Sequence, residues 1–262
     1  MNFLGKIKSK SQVADRDRYE KVYSKLHESN SRLETGISAV PEIFRSPFVK
    51  YYDLLKSNIH SNTKVLELGS GTGIHTKVLC ELANDVTALD ISKSSLDLCK
   101  KNTSNKVKVI LGSMESIPCP DNSFDVVVSC GSFSYAKLEK LKSEIERVLV
   151  PGGTLIYLDS LNYNPIYVLN RFVHFLFRNR TLLTVLRIPT MGKLRAISEN
   201  FSSSEIFFFD SFLWLRNLLV KIGIRIPKFL MKLETSRKLQ FLAFRIVGIN
   251  QCLIKTGDKK TI

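Results

Sequence analysis

The sequence predicts an α/β protein built on a doubly wound, mostly parallel sheet with helices on both faces. Two observations carry this. From Lys64 onward, short apolar runs alternate with amphipathic stretches, which is the pattern of strands covered by helices. The first run, Val65, Leu66 and Leu68, leads into glycines at alternate positions, Gly69, Gly71 and Gly73, and Ile74 then opens a helix. Strand, glycine turn and helix in that order let backbone N–H groups approach a nucleotide-like ligand closely.

Each element follows from its own residues. Val13, Tyr19, Val22, Tyr23 and Leu26 form a thin apolar stripe on a polar helix over 11–28, and 29–40 reads as a loop. Pro47 to Ile59 reads as a helix that packs on the sheet through Phe48, Tyr51, Tyr52, Leu54 and Leu55. Strand 1 is Lys64–Leu68, followed by helix Ile74–Ala83. Strand 2, Val86–Leu89, ends in Asp90, and Ser92 is placed to cap the helix that runs through Lys101. Strand 3 is Val107–Leu111 and strand 4 is Phe124–Cys130. Leu138, Leu141, Ile145 and Val148 stand at helical spacing, Pro151-Gly152-Gly153 forms a tight turn, and strand 5 is Thr154–Leu158. Beyond Asp159 the alternation stops. A helix is expected over 165–178, and another over 182–200 broken by Pro189 and Gly192. Glu205–Phe209 and Phe241–Ile249 are strand-like.

Composition narrows the function classes. With 262 residues and 44% apolar content, the chain can bury a sizeable core, which excludes global disorder. The first residues, M-N-F-L-G-K-I-K, lack the long apolar stretch of a secretion signal. No run of about 18 apolar residues is free of charge, so no membrane-spanning helix is expected. The five cysteines are scattered without a C-x-x-C pair, as in reduced cytoplasmic proteins, and no metal site is expected. The net charge of +15 is uneven: residues 163–262 hold 17 Lys/Arg against 5 Asp/Glu. That balance suits an anionic partner, and equally a solvated basic surface.

Four motifs over about residues 60–160 resemble the class I S-adenosylmethionine-dependent methyltransferases, in the broad group that includes the quinone-biosynthesis C-methyltransferases. They are E-L-G-S-G-T-G at Glu67–Gly73, Asp90 in A-L-D-I-S, the stretch Gly112–Asp125, and R-V-L-V-P-G-G-T-L at Arg147–Leu155. The resemblance implies a Rossmann-like sheet of seven strands, with Phe241–Ile249 as an antiparallel last strand beside Glu205–Phe209. It implies S-adenosyl-L-methionine as cofactor. Glu67 would help to hold the cofactor's amino group, and Gly69, Ser70, Gly71 and Gly73 would meet its methionine and ribose portion, where a Cβ would hold the ligand away. Asp90 would accept the ribose hydroxyls, Ile91 would pack on the adenine, Ser113 would stand where relatives often carry an Asp, and Met114 would supply backbone contact. Glu67 paired structurally and Asp90 as a helix-entry residue are the competing readings. A nicotinamide-binding domain prefers G-x-G-x-x-G, and here the third glycine comes one place early. Adenine-specific nucleic-acid methyltransferases carry an N-P-P-Y-like loop after strand 4, which this chain lacks, so nucleic acid is not an expected partner.

The stretch Asp159–Thr190 resembles a bacterial methyltransferase subgroup associated with surface-polysaccharide gene clusters. Asn170, Arg171 and His174 fall on neighbouring turns of one helix, with Arg180 beyond it. Arg171 or Arg180 would clamp a phosphate or carboxylate, and His174 would serve as general base. Solvated arginines and a structural histidine are the plain alternatives. The expected organisation is an N-terminal helical cap over 1–60 and a methyltransferase domain over 61–262 with a helical, basic insertion at about 161–204. The expected activity is methyl transfer to a small-molecule or lipid-linked acceptor in the cytoplasm, with peripheral contact to an anionic membrane. A quinone or lipid C-methyltransferase and a non-catalytic cofactor-binding scaffold are the alternatives.

Overall fold

The computed structural model describes residues 45–162, 164–169, 186–211 and 243–252, with single positions between 13 and 40. The elements in chain order are α1 (Arg45–Asn58), β1 (Lys64–Leu68), α2 (Thr76–Leu82), β2 (Asp85–Asp90), α3 (Lys93–Asn102), β3 (Lys108–Leu111) and β4 (Phe124–Cys130). Then come a 3-10 turn (Phe133–Tyr135), α4 (Leu138–Val148), β5 (Leu149–Ser160), α5 (Met191–Ser198), β6 (Phe201–Phe209) and β7 (Arg245–Cys252). The strands form one seven-stranded sheet in the order β3-β2-β1-β4-β5-β7-β6. β1 to β5 pair in parallel, and β7 runs antiparallel between β5 and β6. The order turns back between β1 and β4. That is the switch point at which such sheets hold ligands, beyond the carboxyl ends of the strands.

Period-two alternation in the strands builds two cores. On one face, Leu66, Leu68, Val127, Leu155 and Tyr157 meet Leu141, Ile145 and Val148 of α4 and Leu194 and Ile197 of α5. On the other, Val65, Val86, Ala88, Val126, Val128 and Ile156 meet Tyr51, Tyr52 and Leu55 of α1, Leu79 of α2 and Cys99 of α3. Each fully buried side chain of this size contributes roughly 1.5–3 kcal/mol, so the sheet is clamped from both sides. Among the described residues, no helix is long and apolar enough to cross a membrane.

Three sequence expectations change. The P-G-G segment does turn, with Gly152 at φ +81. It lies inside β5 rather than before it, because Leu149 already pairs with Phe124 and the register shifts before Val126 meets Thr154. A Cβ at Gly153 would stand 2.9 Å from the Val150 carbonyl and 3.0 Å from that of Asp125, which explains the glycine there. Gly192 does not break its helix: α5 starts at Met191 and runs through it, with Thr190 as N-cap and Pro189 outside. The β6–β7 pair is shifted: β6 begins at Phe201, four residues earlier than Glu205, and β7 spans Arg245–Cys252 rather than Phe241–Ile249, both carried by their mutual pairing.

Gly248 is a glycine mid-strand for a packing reason. It pairs with Tyr157 of β5, and a Cβ at Gly248 would lie 2.2 Å from Tyr157 Cζ. The Tyr157 ring is itself fixed against Phe133, with centroids 5.1 Å apart. Gly248→Ala is therefore expected to lower folding stability by about 1–3 kcal/mol. A reduced urea midpoint checks this, and an unchanged midpoint would show that Tyr157 swings clear.

Candidate active site

The site grows from the end of β1. Gly69, Gly71 and Gly73 all have positive φ, at +69, +53 and +83. Only glycine adopts three such angles without strain, so the chain can fold sharply back on itself here. The turn is tied to β2 through Gly69 N–H and Ser70 N–H, which donate to the Leu89 carbonyl at 2.8 and 3.2 Å. Two of these glycines are required by the protein itself. A Cβ at Gly69 would stand 2.6 Å from Ser132 Cβ, and one at Gly73 would stand 3.0 Å from Cys99 Cα and Sγ. Close approach to β4's exit loop and to α3 is thus a reason for glycine at both positions, in addition to the expected clearance for a ligand.

Asp90 joins the two loops. Its Oδ2 accepts from Gly71 N–H and its Oδ1 from Ser92 N–H, both at 2.9 Å. Burial pushes its pKa up, against those backbone donors. Each carboxylate oxygen keeps a second lone pair, so Asp90 can still accept from paired hydroxyls. Ser92 caps α3 as the sequence indicates, its hydroxyl accepting from Ser95 N–H at 3.1 Å.

A cleft opens at this end of the sheet. Four loops line it: Gly69 and Gly71 after β1, Leu89 to Ile91 at the end of β2, Gly112 to Met114 after β3, and Cys130, Gly131, Ser132 and Tyr135 after β4. Six of the expected cofactor residues, Gly69, Gly71, Asp90, Ile91, Ser113 and Met114, thus converge on one space. The Ser113 hydroxyl also accepts from Glu115 N–H at 3.1 Å, which shapes the loop.

Glu67, Ser70 and Gly73 are not part of this lining. Glu67 is buried on the strand face it shares with Val65, where its Oε2 accepts a hydrogen bond from the Thr76 hydroxyl. Burial pushes its pKa up to about 8; the Thr76 hydrogen bond opposes this and the Asp90 charge adds to it. His75, just before α2, is half-buried. Its Nδ1 lies 2.6 Å from the Tyr52 hydroxyl, and burial pulls its pKa down to about 4, so it is neutral near pH 7.

The β4 exit was not among the expected site residues. Gly131 has φ +71, and a Cβ there would meet nothing within 4 Å. Its N–H donates to the Leu158 carbonyl at 2.8 Å. Ser132 donates to the Leu68 carbonyl at 3.0 Å, and Asp159, at the end of β5, accepts from Phe133 N–H at 2.9 Å. A glycine directly after the strand at the switch point was the available signal. On the acceptor side, the described residues over 165–169 are helical as expected, whereas Asn170, Arg171, His174 and Arg180 lie outside the described residues.

Comparison with known proteins decides the family. The methyltransferase domain model matches residues 66–157. The ubiquinone/menaquinone biosynthesis C-methyltransferase UbiE of Wigglesworthia glossinidia brevipalpis is 30% identical over 207 residues, covering 69% of this chain and 76% of that one. The chain belongs to the S-adenosylmethionine-dependent methyltransferases. A second relative of this methyltransferase is the malonyl-[acyl-carrier protein] O-methyltransferase of Buchnera aphidicola, 36% identical over 122 residues; the match spans 45% of this chain and about half, 49%, of the relative. Solved structures share the fold. A putative sarcosine dimethylglycine methyltransferase from Galdieria sulphuraria has a TM-score of 0.59 at 16% identity, over 90% of this chain and 98% of its own. Geranyl diphosphate C-methyltransferase from Streptomyces coelicolor, solved with S-adenosyl-L-homocysteine, has a TM-score of 0.58 at 14% identity, over 94% of this chain and 98% of its own.

The cleft suits the family's cofactor. It offers a carboxylate with spare lone pairs, Asp90, between apolar walls from Leu89, Ile91 and Met114. It also offers the glycine turn, from which Gly69 and Gly71 line the space.

Proposed function

We propose that this methyltransferase transfers a methyl group to a small-molecule or lipid-linked acceptor, with a sugar or surface-polysaccharide precursor as the favoured class. The observation that carries the reading is the convergence of four strand-end loops on one cleft at the sheet's switch point. Asp90 accepts the ribose hydroxyls, and Ile91, Met114 and Ser113 hold the adenine. The Gly69–Gly73 turn receives the methionine portion. Glu67 supports that turn from beneath, through Thr76, rather than from the cleft wall. The cofactor, when bound, supplies a methyl group on a sulfonium, already a good electrophile. The chain's task is then to align the acceptor and exclude water. Gly131, Ser132 and Tyr135, next to the β5 end, form the acceptor's side of the cleft.

A hydroxyl acceptor needs a base because its pKa is high, and His174 is assigned that role. Asn170, Arg171 and Arg180 are assigned to an anionic group on the acceptor. The charge pattern supports this: between Asp159 and Glu199 the chain carries six Lys/Arg and no Asp or Glu. The apolar and basic stretch 211–233, of which only Ser211 is among the described residues, is assigned to a peripheral encounter with anionic lipid at the cytoplasmic face, where lipid-linked acceptors are presented. We propose the 1–60 stretch as a helical cap and 161–204 as the acceptor-side insertion. α1 belongs to the sheet's core layer as well, through Tyr51, Tyr52 and Leu55.

A second reading, methylation of a quinone or lipid ring carbon, is favoured by the UbiE relative. Incubation with methyl-labelled S-adenosylmethionine and bacterial extract, followed by fractionation, separates the two. Label in sugar or lipid-linked glycan is the expected result. Label in the quinone fraction supports the second reading, and label in RNA or protein overturns both.

A further inference from the structure

We propose that Glu20 is a positioning residue of the cofactor cleft: its carboxylate ties the N-terminal segment to the wall that carries Asp90 and Ile91, so that bound cofactor and docked segment stabilise each other. The proposal rests on the cofactor reading of the cleft given above.

Glu20 stands 73 residues before Lys93, yet Lys93 N–H donates to its Oε1 at 2.7 Å. Ser94 N–H donates to its Oε2 at 3.1 Å. These are N–H groups of the first turn of α3, which has no partner for them within the helix. The next donor, Ser95 N–H, goes to the Ser92 hydroxyl, and Ser92 N–H goes to Asp90 Oδ1. Asp90 then reaches across to Gly71 N–H. Glu20, Ser92 and Asp90 therefore satisfy consecutive backbone donors along one stretch, and the far end of that stretch is the cleft wall. Among the described positions, 13, 16–18, 20, 21 and 24 are helical, Glu20 included.

The electrostatics agree with this geometry. Burial works against the ionised Glu20, but hydrogen bonds from Ser94, Lys93 and Ser92 outweigh it, and its pKa is lowered. The carboxylate is thus charged where the helix dipole favours a negative charge. Its charge is also felt at Asp90, after the larger effect of burial. Two groups coupled through one short stretch must respond to each other, so whatever orders the Asp90 wall also holds Glu20 in place, and the reverse.

A helix cap with no link to the cleft would show none of this reciprocity. The test uses the wild-type chain, Glu20→Gln and Glu20→Ala, each with and without S-adenosyl-L-homocysteine. Affinity is measured by calorimetry, and trypsin cleavage is followed at the exposed Lys21. In the wild type, the ligand is expected to slow cleavage at Lys21 severalfold. Glu20→Ala is expected to bind about fivefold more weakly and to lose that protection. Glu20→Gln, which keeps one acceptor oxygen, is expected to fall between. A wild type that binds the ligand but is cut equally with and without it overturns the proposal. So do variants that match the wild type in both affinity and protection. A wild type that binds no ligand at all overturns the cofactor reading itself, and the proposal falls with it.

Discussion

Replacing Asp90 by Ala is expected to weaken binding of S-adenosyl-L-homocysteine by about a hundredfold. Asp90 does two things at once. It accepts from Gly71 N–H and Ser92 N–H, which fixes the glycine turn against the entry to α3. Its remaining lone pairs are assigned to the ribose hydroxyls. Hydrogen bonds to a charged group are worth roughly 1.5–3 kcal/mol each, so losing the ligand contacts and the fixed turn together reaches that hundredfold. Stability should change far less than affinity, because burial already disfavours the Asp90 charge. Asp90→Asn keeps one acceptor and should lose less than Asp90→Ala. Calorimetry on the three proteins checks the order, and equal affinities would remove Asp90 from the site.

The second large effect concerns pH. The Glu67 carboxyl titrates at about 8 in the fold, against 4.5 for an ordinary Glu, chiefly through burial. The folded state therefore holds a proton that the unfolded chain gives up. Below pH 4.5 both states are protonated and Glu67 costs nothing. As pH rises from 4.5 towards 8 the penalty grows, reaching on the order of a few kcal/mol. Glu67→Gln keeps a group that accepts from the Thr76 hydroxyl without a charge to bury. Urea unfolding at pH 5 should find the two proteins similar, and at pH 8 to 9 the variant should be the more stable. Parallel stability curves across that range would show that Glu67 is ionised and well solvated in the fold.

Much of this fold is visible in the sequence because each element has a local signature. β1, β4 and α4 follow from apolar periodicity alone, and α3 from Ser92 placed before its first turn. Long-range contacts are another matter. Gly73 looks like a ligand-contacting glycine, but its neighbour in space is Cys99, 26 residues along the chain. Glu67 looks like a cleft residue, yet strand alternation turns it to the opposite side, towards Thr76. Gly131 and Tyr135 carry no fixed motif, and only the strand order brings β4's exit beside Gly69. Glu20 is invisible for the same reason, since nothing local links it to Lys93. The antiparallel pairing of β7 between β5 and β6 rests on family resemblance, not on any local pattern in residues 241–249.

The cofactor is assigned to the cleft formed by the loops after β1, β2, β3 and β4. Amide hydrogen exchange with and without saturating S-adenosyl-L-homocysteine tests this assignment most directly. Slowed exchange is expected at Gly69–Gly73, Ile91–Ser92, Ser113–Met114 and Gly131–Ser132, with β6 unchanged. Saturating ligand that leaves these four loops unprotected, or that protects a different part of the sheet, would contradict it.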